Sequence, residues 1–206
     1  CDLYYGKDKL YTNYVDLLRP YLKDLKNSKA LDLGCCVGRT SFELAKIYDE
    51  VLGIDFSANY INIGVKLKLY DFVNYKIKKE DKTFEERAIS LKDFDLEKVK
   101  DKVSFMQGDA CNLKEIYKDF DLIFYSSLID KLYYPKKFLE DVSRRINKNG
   151  FFVFLSSHNW FNEHINENNL FLEFELLDKI EVSSFIKMKN KNYENKTLLM
   201  SIWKKK

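Results

Sequence analysis

The sequence predicts an α/β fold in which a mostly parallel seven-stranded sheet carries helices on both faces and an antiparallel hairpin along one edge. Three observations predict it. Short apolar runs alternate with stretches whose apolar residues recur every three to four positions, the mark of strands alternating with helices. Several of those runs are apolar throughout, as strands covered on both faces must be. Two further apolar runs close the chain with no helix between them, which places an antiparallel pair at the edge.

Taken in order, Tyr11, Val15, Leu18, Leu22 and Leu25 predict an amphipathic helix over residues 10–26. A strand follows at 29–33, then a helix over 38–48. The run "EVLGIDFS" is a second strand ending at Asp55, and Ser57 can cap a helix running towards Phe72. Residues 74–101 are dense in Lys, Glu and Asp and read as a charged helical insertion facing solvent. The alternation resumes with "KVSFMQGDA", ending at Asp109, and "DFDLIFYSS", ending near Ser126. Pro135 suits the first turn of a helix that presents Phe138, Val142 and Ile146 on one face and is closed by Asn149 and Gly150. The run "FFVFLSS" is a fifth strand, residues 168–180 read as a helix, and "EVSSFIKMK" with "KTLLMSIWK" form the closing hairpin. Neither an internal repeat nor a linker interrupts residues 1–206, which read as one domain.

Composition bounds the partners. The net charge of +3 comes from 35 basic and 32 acidic residues, without the basic stripe of a dedicated nucleic-acid binder. No run is long and apolar enough for a membrane span, and no signal peptide is evident. Four cysteines show neither CxxC nor Cys/His spacing, so no metal is expected and a reducing cytoplasm fits. The chain opens on Cys1 rather than methionine, which leaves room for an excised domain or a trimmed chain.

In a sheet of this kind ligands bind beyond the carboxyl ends of the strands, where the strand order reverses. The first such loop lies in "KALDLGCCVGRTSFELA". A phosphate-cradling P-loop needs a lysine that this loop lacks, and the GxGxxG spacing of dinucleotide sites is missing, with Cys36 where a glycine would fall. S-adenosylmethionine carries a sulfonium cation and no phosphate, so its pocket tolerates a small side chain in the turn and profits from carboxylates. On this reading Asp32, Gly34, Cys36 and Gly38 shape the turn and admit the methionine moiety. Asp55, with Phe56 beside it, accepts from the ribose hydroxyls, while Asp109 and small Ala110 meet the adenine and Ser126 closes the fourth strand. Each signal is weak alone; their order along the chain is the strong one.

The strings "LDLGCCVGRTSFELA", "GIDFSANYI", "VSFMQGDACNLK" and "DLIFYSSLIDKLYYPKKFLEDVSRRINKNG" resemble the methyltransferase domain that ends the ovothiol-synthesis enzymes, the 4-mercaptohistidine N1-methyltransferase family. The resemblance runs from about residue 29 to 160 and extends weakly to "SIWKK". It implies a Rossmann-like class I methyltransferase that uses S-adenosylmethionine, releases S-adenosylhomocysteine and methylates an imidazole nitrogen of 4-mercaptohistidine (5-thiohistidine) to give ovothiol A. It also implies a small amino-acid-like substrate and functional pairing with a sulfoxide synthase domain or enzyme. The family often has alanine where this chain has Cys36, so the turn needs something small there rather than glycine. The segment "SSHNWFNEH" departs from the family pattern.

For chemistry, Asp130 after the fourth strand is the candidate proton acceptor, against the plain alternative of a capping or surface aspartate. Tyr133 is a second catalytic candidate, and Tyr125 and Tyr134 are candidate walls of the substrate slot, against a place in the core. Tyr5, with Tyr4, is placed at a lid, against a frayed terminus; Arg39 on a substrate or cofactor carboxylate; and His158 with Asn159 at the substrate's polar edge, against a satisfied structural histidine. Cys35 and Cys36 read as small packing residues, because nothing nearby would activate a thiol. Other functions compete: methylation of another small molecule, methylation of nucleic acid or protein, and cofactor binding without catalysis. Amino-group methylation of nucleic acid favours [DNS]PP[YFW] after the fourth strand, where this chain has Ser126, Ser127 and Leu128.

Overall fold

A computed structural model of the chain describes residues 2–6, 11–22, 27–79, 82–129, 132–157, 172–187 and 193–206. The elements begin with α1 (Asp2–Tyr5), α2 (Tyr14–Leu18), β1 (Lys29–Leu33), α3 (Arg39–Leu44), β2 (Glu50–Asp55) and α4 (Ala58–Tyr70). A hairpin of β3 (Phe72–Lys78) and β4 (Phe84–Ser90) and two short 3-10 turns lead to β5 (Val103–Gln107) and β6 (Phe120–Leu128). The chain ends with α5 (Pro135–Arg145), β7 (Ile146–Ser156), β8 (Phe174–Lys187) and β9 (Tyr193–Lys205).

Seven strands form one sheet in the order β5-β2-β1-β6-β7-β9-β8. The first five in that order are parallel, and β9 runs antiparallel between β7 and β8. This is the expected sheet with its expected antiparallel edge. Residue alternation along β6 divides the core in two. Leu122 and Phe124 join Val15, Leu18, Phe42 and Leu67 on one face, while Ile123 and Tyr125 join Phe138, Leu139 and Phe152 on the other. The strand order reverses between β1 and β6, so a crevice opens above their carboxyl ends.

Four expectations need correction. The described part of residues 74–101 holds no α-helix: it contains most of the β3–β4 hairpin and the two 3-10 turns. Their burial alternates, with Val73 buried between exposed Phe72 and Asn74, and cross-strand pairs such as Lys76–Glu86 at 2.9 Å suit a ribbon. Of residues 168–180, Leu172 and Glu173 form a turn and strand β8 runs from Phe174 onward; burial alternates along it residue by residue, and exposed Leu177 is what obscures the strand pattern in the sequence. Helix α5 ends at Arg145 and Ile146 opens β7, so Asn149, at φ 64°, and Gly150 shape a bulge rather than a helix end. Of the helix expected over 10–26, α2 covers Tyr14–Leu18, and a tighter turn with Tyr21 N–H on Leu18 O (2.9 Å) follows around Pro20, which has no N–H to give. Among the described residues, no helix is long and apolar enough to cross a membrane.

One aromatic ring positions α3 and α4 against the sheet. Phe105 of β5 lies over three positions that lack a Cβ. A methyl group on Gly38 would approach its ring to 2.5 Å, one on Gly53 to 2.9 Å (with Ser41 Oγ at 2.8 Å) and one on Gly64 to 3.1 Å. Phe42 meets the same ring edge-on at 5.5 Å. Gly53→Ala is therefore expected to destabilise the fold by about 1–3 kcal/mol through overpacking, measured by urea unfolding. Combining it with Phe105→Leu should cost less than the sum of the two single changes. Strictly additive penalties would show that the ring is not the obstacle.

Candidate functional site

The crevice is built by tying three loops to one another. After β1 the chain turns through Gly34 at φ 70°, Cys36 at φ 55° and Gly38 at φ 85°, the last of these being the N-cap of α3. The amides of Gly34 and Cys35 both donate to the carbonyl of Ile54, at 2.8 and 3.1 Å, which docks this turn on the end of β2. Asp55 completes the junction: its Oδ2 accepts from the Cys36 amide (2.9 Å) and its Oδ1 from the Ser57 amide (2.8 Å). The loop after β5 joins through Gly108 N–H on Asp55 O (3.0 Å) and Gln107 Nε2 on Phe56 O (3.1 Å). Asp109 then folds its own loop, with Oδ1 accepting from Cys111 N–H at 2.8 Å.

These loops enclose a cleft of about 450 Å³, well within the size range of small-molecule sites. Of the residues singled out in the sequence, Gly34, Asp55, Phe56, Asp109, Ala110, Tyr125, Tyr133 and Tyr134 all line it. Phe56, Tyr133 and Tyr134 are 77%, 93% and 66% exposed, so three aromatic rings stand at the rim without contributing to the core. Asp55 and Asp109 put two carboxylates on the wall, and no basic side chain is among the described lining residues.

Other predicted residues lie elsewhere. Asp32 is fully buried beneath the turn, its Oδ2 accepting from Ser41 Oγ at 2.7 Å. Gly38 faces the Phe105 ring rather than the cleft. Cys36 joins the site through its amide. Burial pushes its thiol up to about 11, despite a hydrogen bond with Tyr4 that favours the thiolate, so it is a neutral thiol at pH 7. Burial also holds Cys35 well above the usual thiol range, so neither sulfur is an activated nucleophile. Ser126 falls in β6 next to Tyr125, but its side chain is not among those described. Asp130, His158 and Asn159 lie outside the described residues.

Arg39 and Tyr5 pack in the core and are not among the described residues lining the cleft. The Arg39 guanidinium binds Glu43 through Nε and Nη2, at 3.1 and 2.9 Å, and sits over the rings of Phe94, Tyr11 and Tyr5 at 4.0, 5.1 and 5.3 Å. Tyr5 is buried edge-on against Phe94. Desolvated Glu43 needs that cation, and Lys46 at 2.9 Å shares it. The arginine is spent on the core.

Sequence reasoning missed Cys111 and Leu132, which also line the cleft. Cys111 lies within the "QGDACNLK" string, where its neighbour Asp109 drew the attention. It also missed Arg145, a buried cation on α5 whose acceptors are carbonyls of the loop after β5.

A family model described as a methyltransferase domain matches residues 24–197. Among solved structures, a TehB-like SAM-dependent methyltransferase from Corynebacterium glutamicum superposes with a TM-score of 0.58, covering 94% of this chain and 88% of that one at 17% identity. Precorrin-6y C5,15-methyltransferase from Geobacter metallireducens does so at 0.60, covering 97% and 95% at 14% identity. A Pyrococcus horikoshii protein reaches 0.62 over 100% of this chain and 96% of its own at 17% identity. At these identities the likeness is one of fold. No curated protein matches this chain by sequence.

The turn's handedness makes a prediction about Cys36. A side chain at φ 55° is strained by about 1 kcal/mol or more, a strain that glycine does not carry. Cys36→Gly is therefore expected to raise stability slightly and leave ligand binding near the wild-type value, whereas Cys36→Leu should abolish binding. Denaturant melts and ligand titrations on the pair check this. A Cys36→Gly chain that melts earlier would show that the thiol's packing outweighs the strain.

Proposed function

This chain belongs to the methyltransferase-domain family, and from that premise we propose that it transfers a methyl group from S-adenosylmethionine to an imidazole nitrogen of 4-mercaptohistidine. The observation that carries the reading is the placement of Asp55 and Asp109 on one cleft with no basic side chain among the described lining residues. A cationic, phosphate-free cofactor suits that wall, and an anionic nucleotide does not. Asp55 would hold the ribose hydroxyls, and Asp109 with Ala110 and Cys111 the adenine edge. Gly34 leaves room for the amino-acid end. Bound there, S-adenosylmethionine supplies a methyl carbon already activated by its sulfonium.

What remains for the protein is to hold the acceptor close and collinear, which can be worth roughly 7–11 kcal/mol. A rigid set of loops tied at Asp55 suits that task. The acceptor assignment rests on the sequence resemblance of the "CCVGRTSFELA" and "QGDACNLK" segments, and the tyrosine rim supports it. Tyr133 and Tyr134, exposed at the mouth, can stack a heteroaromatic ring whose sulfur orients it. An imidazole of pKa about 6.5 is largely neutral at pH 7, so the ring proton can pass to water or to a nearby carboxylate, the role kept for Asp130. Methylation of another small molecule is the alternative; the modest net charge of +3 weighs against nucleic acid.

Two measurements test this. Asp55→Ala removes hydrogen bonds to a charged acceptor worth about 1.5–3 kcal/mol each, so calorimetry should show S-adenosylhomocysteine binding at least tenfold weaker. Unchanged affinity would sink the ribose assignment. With isotopically labelled cofactor, mass-resolved products from 4-mercaptohistidine, histidine, ergothioneine and a simple thiol should show methyl on the ring nitrogen of 4-mercaptohistidine alone. Methyl on sulfur, or on plain histidine, overturns the acceptor while leaving the cofactor assignment in place.

A further inference from the structure

We propose that Arg145, on the last turn of α5 and not among the described residues lining the cleft, is a positioning residue that sets the adenine end of the cleft. The proposal rests on the cofactor reading given above. Between β5 and β6 the chain runs from Gly108 to Asp119 without regular structure, and its backbone carbonyls must find donors. Arg145 supplies them. Its Nη1 donates to Lys114 O (2.8 Å) and Tyr117 O (2.7 Å), and its Nη2 to Leu113 O (3.0 Å). Nε completes the set on Asp141 Oδ2 at 2.6 Å. The side chain is only 4% exposed, so these bonds are made away from competing water.

The same loop turns at Asp109, Ala110 and Cys111, which line the cleft. Leu113, the residue whose carbonyl Arg145 holds, packs in the core among Ile54, Phe120, Tyr125 and Phe138. The guanidinium thus fixes the loop from below while Leu113 pins it to the sheet, and the stretch between Asp109 and Leu113 has little freedom left. Asp141 keeps the arginine in place. Burial would raise its carboxyl, but hydrogen bonds from Arg145 and Arg144 outweigh this and hold it below the usual carboxylate range, so it stays charged. Lysine cannot substitute, because one ammonium lacks the planar fork that spans three carbonyls and a carboxylate.

The test compares wild type with Arg145→Lys and Asp141→Asn, using S-adenosylhomocysteine and adenosine as probes and hydrogen exchange to follow the loop. Arg145→Lys should weaken both probes by the same factor, roughly tenfold, because adenosine reports only the base and ribose end. Amides of residues 111–117 should lose protection while those of β1 and β2 keep theirs, a localised change that general loss of stability would not give. Asp141→Asn leaves the three carbonyl bonds in place and should give a smaller loss in the same direction; it carries the test if Arg145→Lys does not fold. Unchanged adenosine affinity in the folded variant overturns the proposal, as does a weakening of S-adenosylhomocysteine that adenosine does not share. A wild-type chain that binds neither probe overturns the cofactor reading as well, so the two failures are distinguishable.

Discussion

The site depends on one carboxylate. Asp55 ends β2 and spends its two oxygens on amides from opposite sides, Cys36 in the turn after β1 and Ser57 at the start of α4. Parallel neighbours leave their carboxyl ends side by side but do not by themselves join the loops that follow. The Asp55 carboxylate makes that connection, and its own carbonyl, accepting from Gly108, extends it to β5. A ligand entering the crevice of this SAM-dependent methyltransferase meets a wall that is already assembled, and pre-assembly is what a reaction governed by orientation requires.

Much of this was legible in the sequence, for a definable reason. Parallel strands buried on both faces leave apolar runs, and the residues just beyond them must point into the crevice, so Asp55 and Asp109 were readable from position alone. The peripheral elements were not. In β3 and β4 the exposed face carries Lys76, Lys78 and Glu86, and charge density hid a two-residue alternation marked by only a few apolar groups. In β8 an apolar residue on the exposed face, Leu177 next to half-buried Leu176, broke the apolar alternation and disguised a strand as a helix. Arg39 misled for a different reason: a cation beside a cofactor turn serves a ligand or the core, and only the partners decide. Glu43, four residues on along the helix, was the available clue.

Arg39 and Arg145 together show how this chain uses buried cations. Each is almost fully desolvated and each is matched by a carboxylate four residues away on its own helix, Glu43 after Arg39 and Asp141 before Arg145. The first gathers Tyr5 and Tyr11 of the amino-terminal segment against Phe94, the second gathers carbonyls of a loop without regular structure. Buried pairs of this kind contribute little net stability over apolar residues of equal volume. Their directionality is what an oily core lacks: each determines where a peripheral stretch of chain comes to rest.

The ring of Phe105 carries a lesson for reading such chains. Gly38 belongs to the loop motif by which a cofactor site is sought, yet the space it leaves open is filled by a phenyl group from inside the protein. Its absence of a side chain is an architectural requirement that would persist in a descendant unable to hold any ligand. A search that scores that glycine as a mark of binding would count such a silent descendant as an enzyme. Tyr133 and Tyr134, which stand at the mouth of the crevice outside the core, are the residues that such a decayed copy would be free to change.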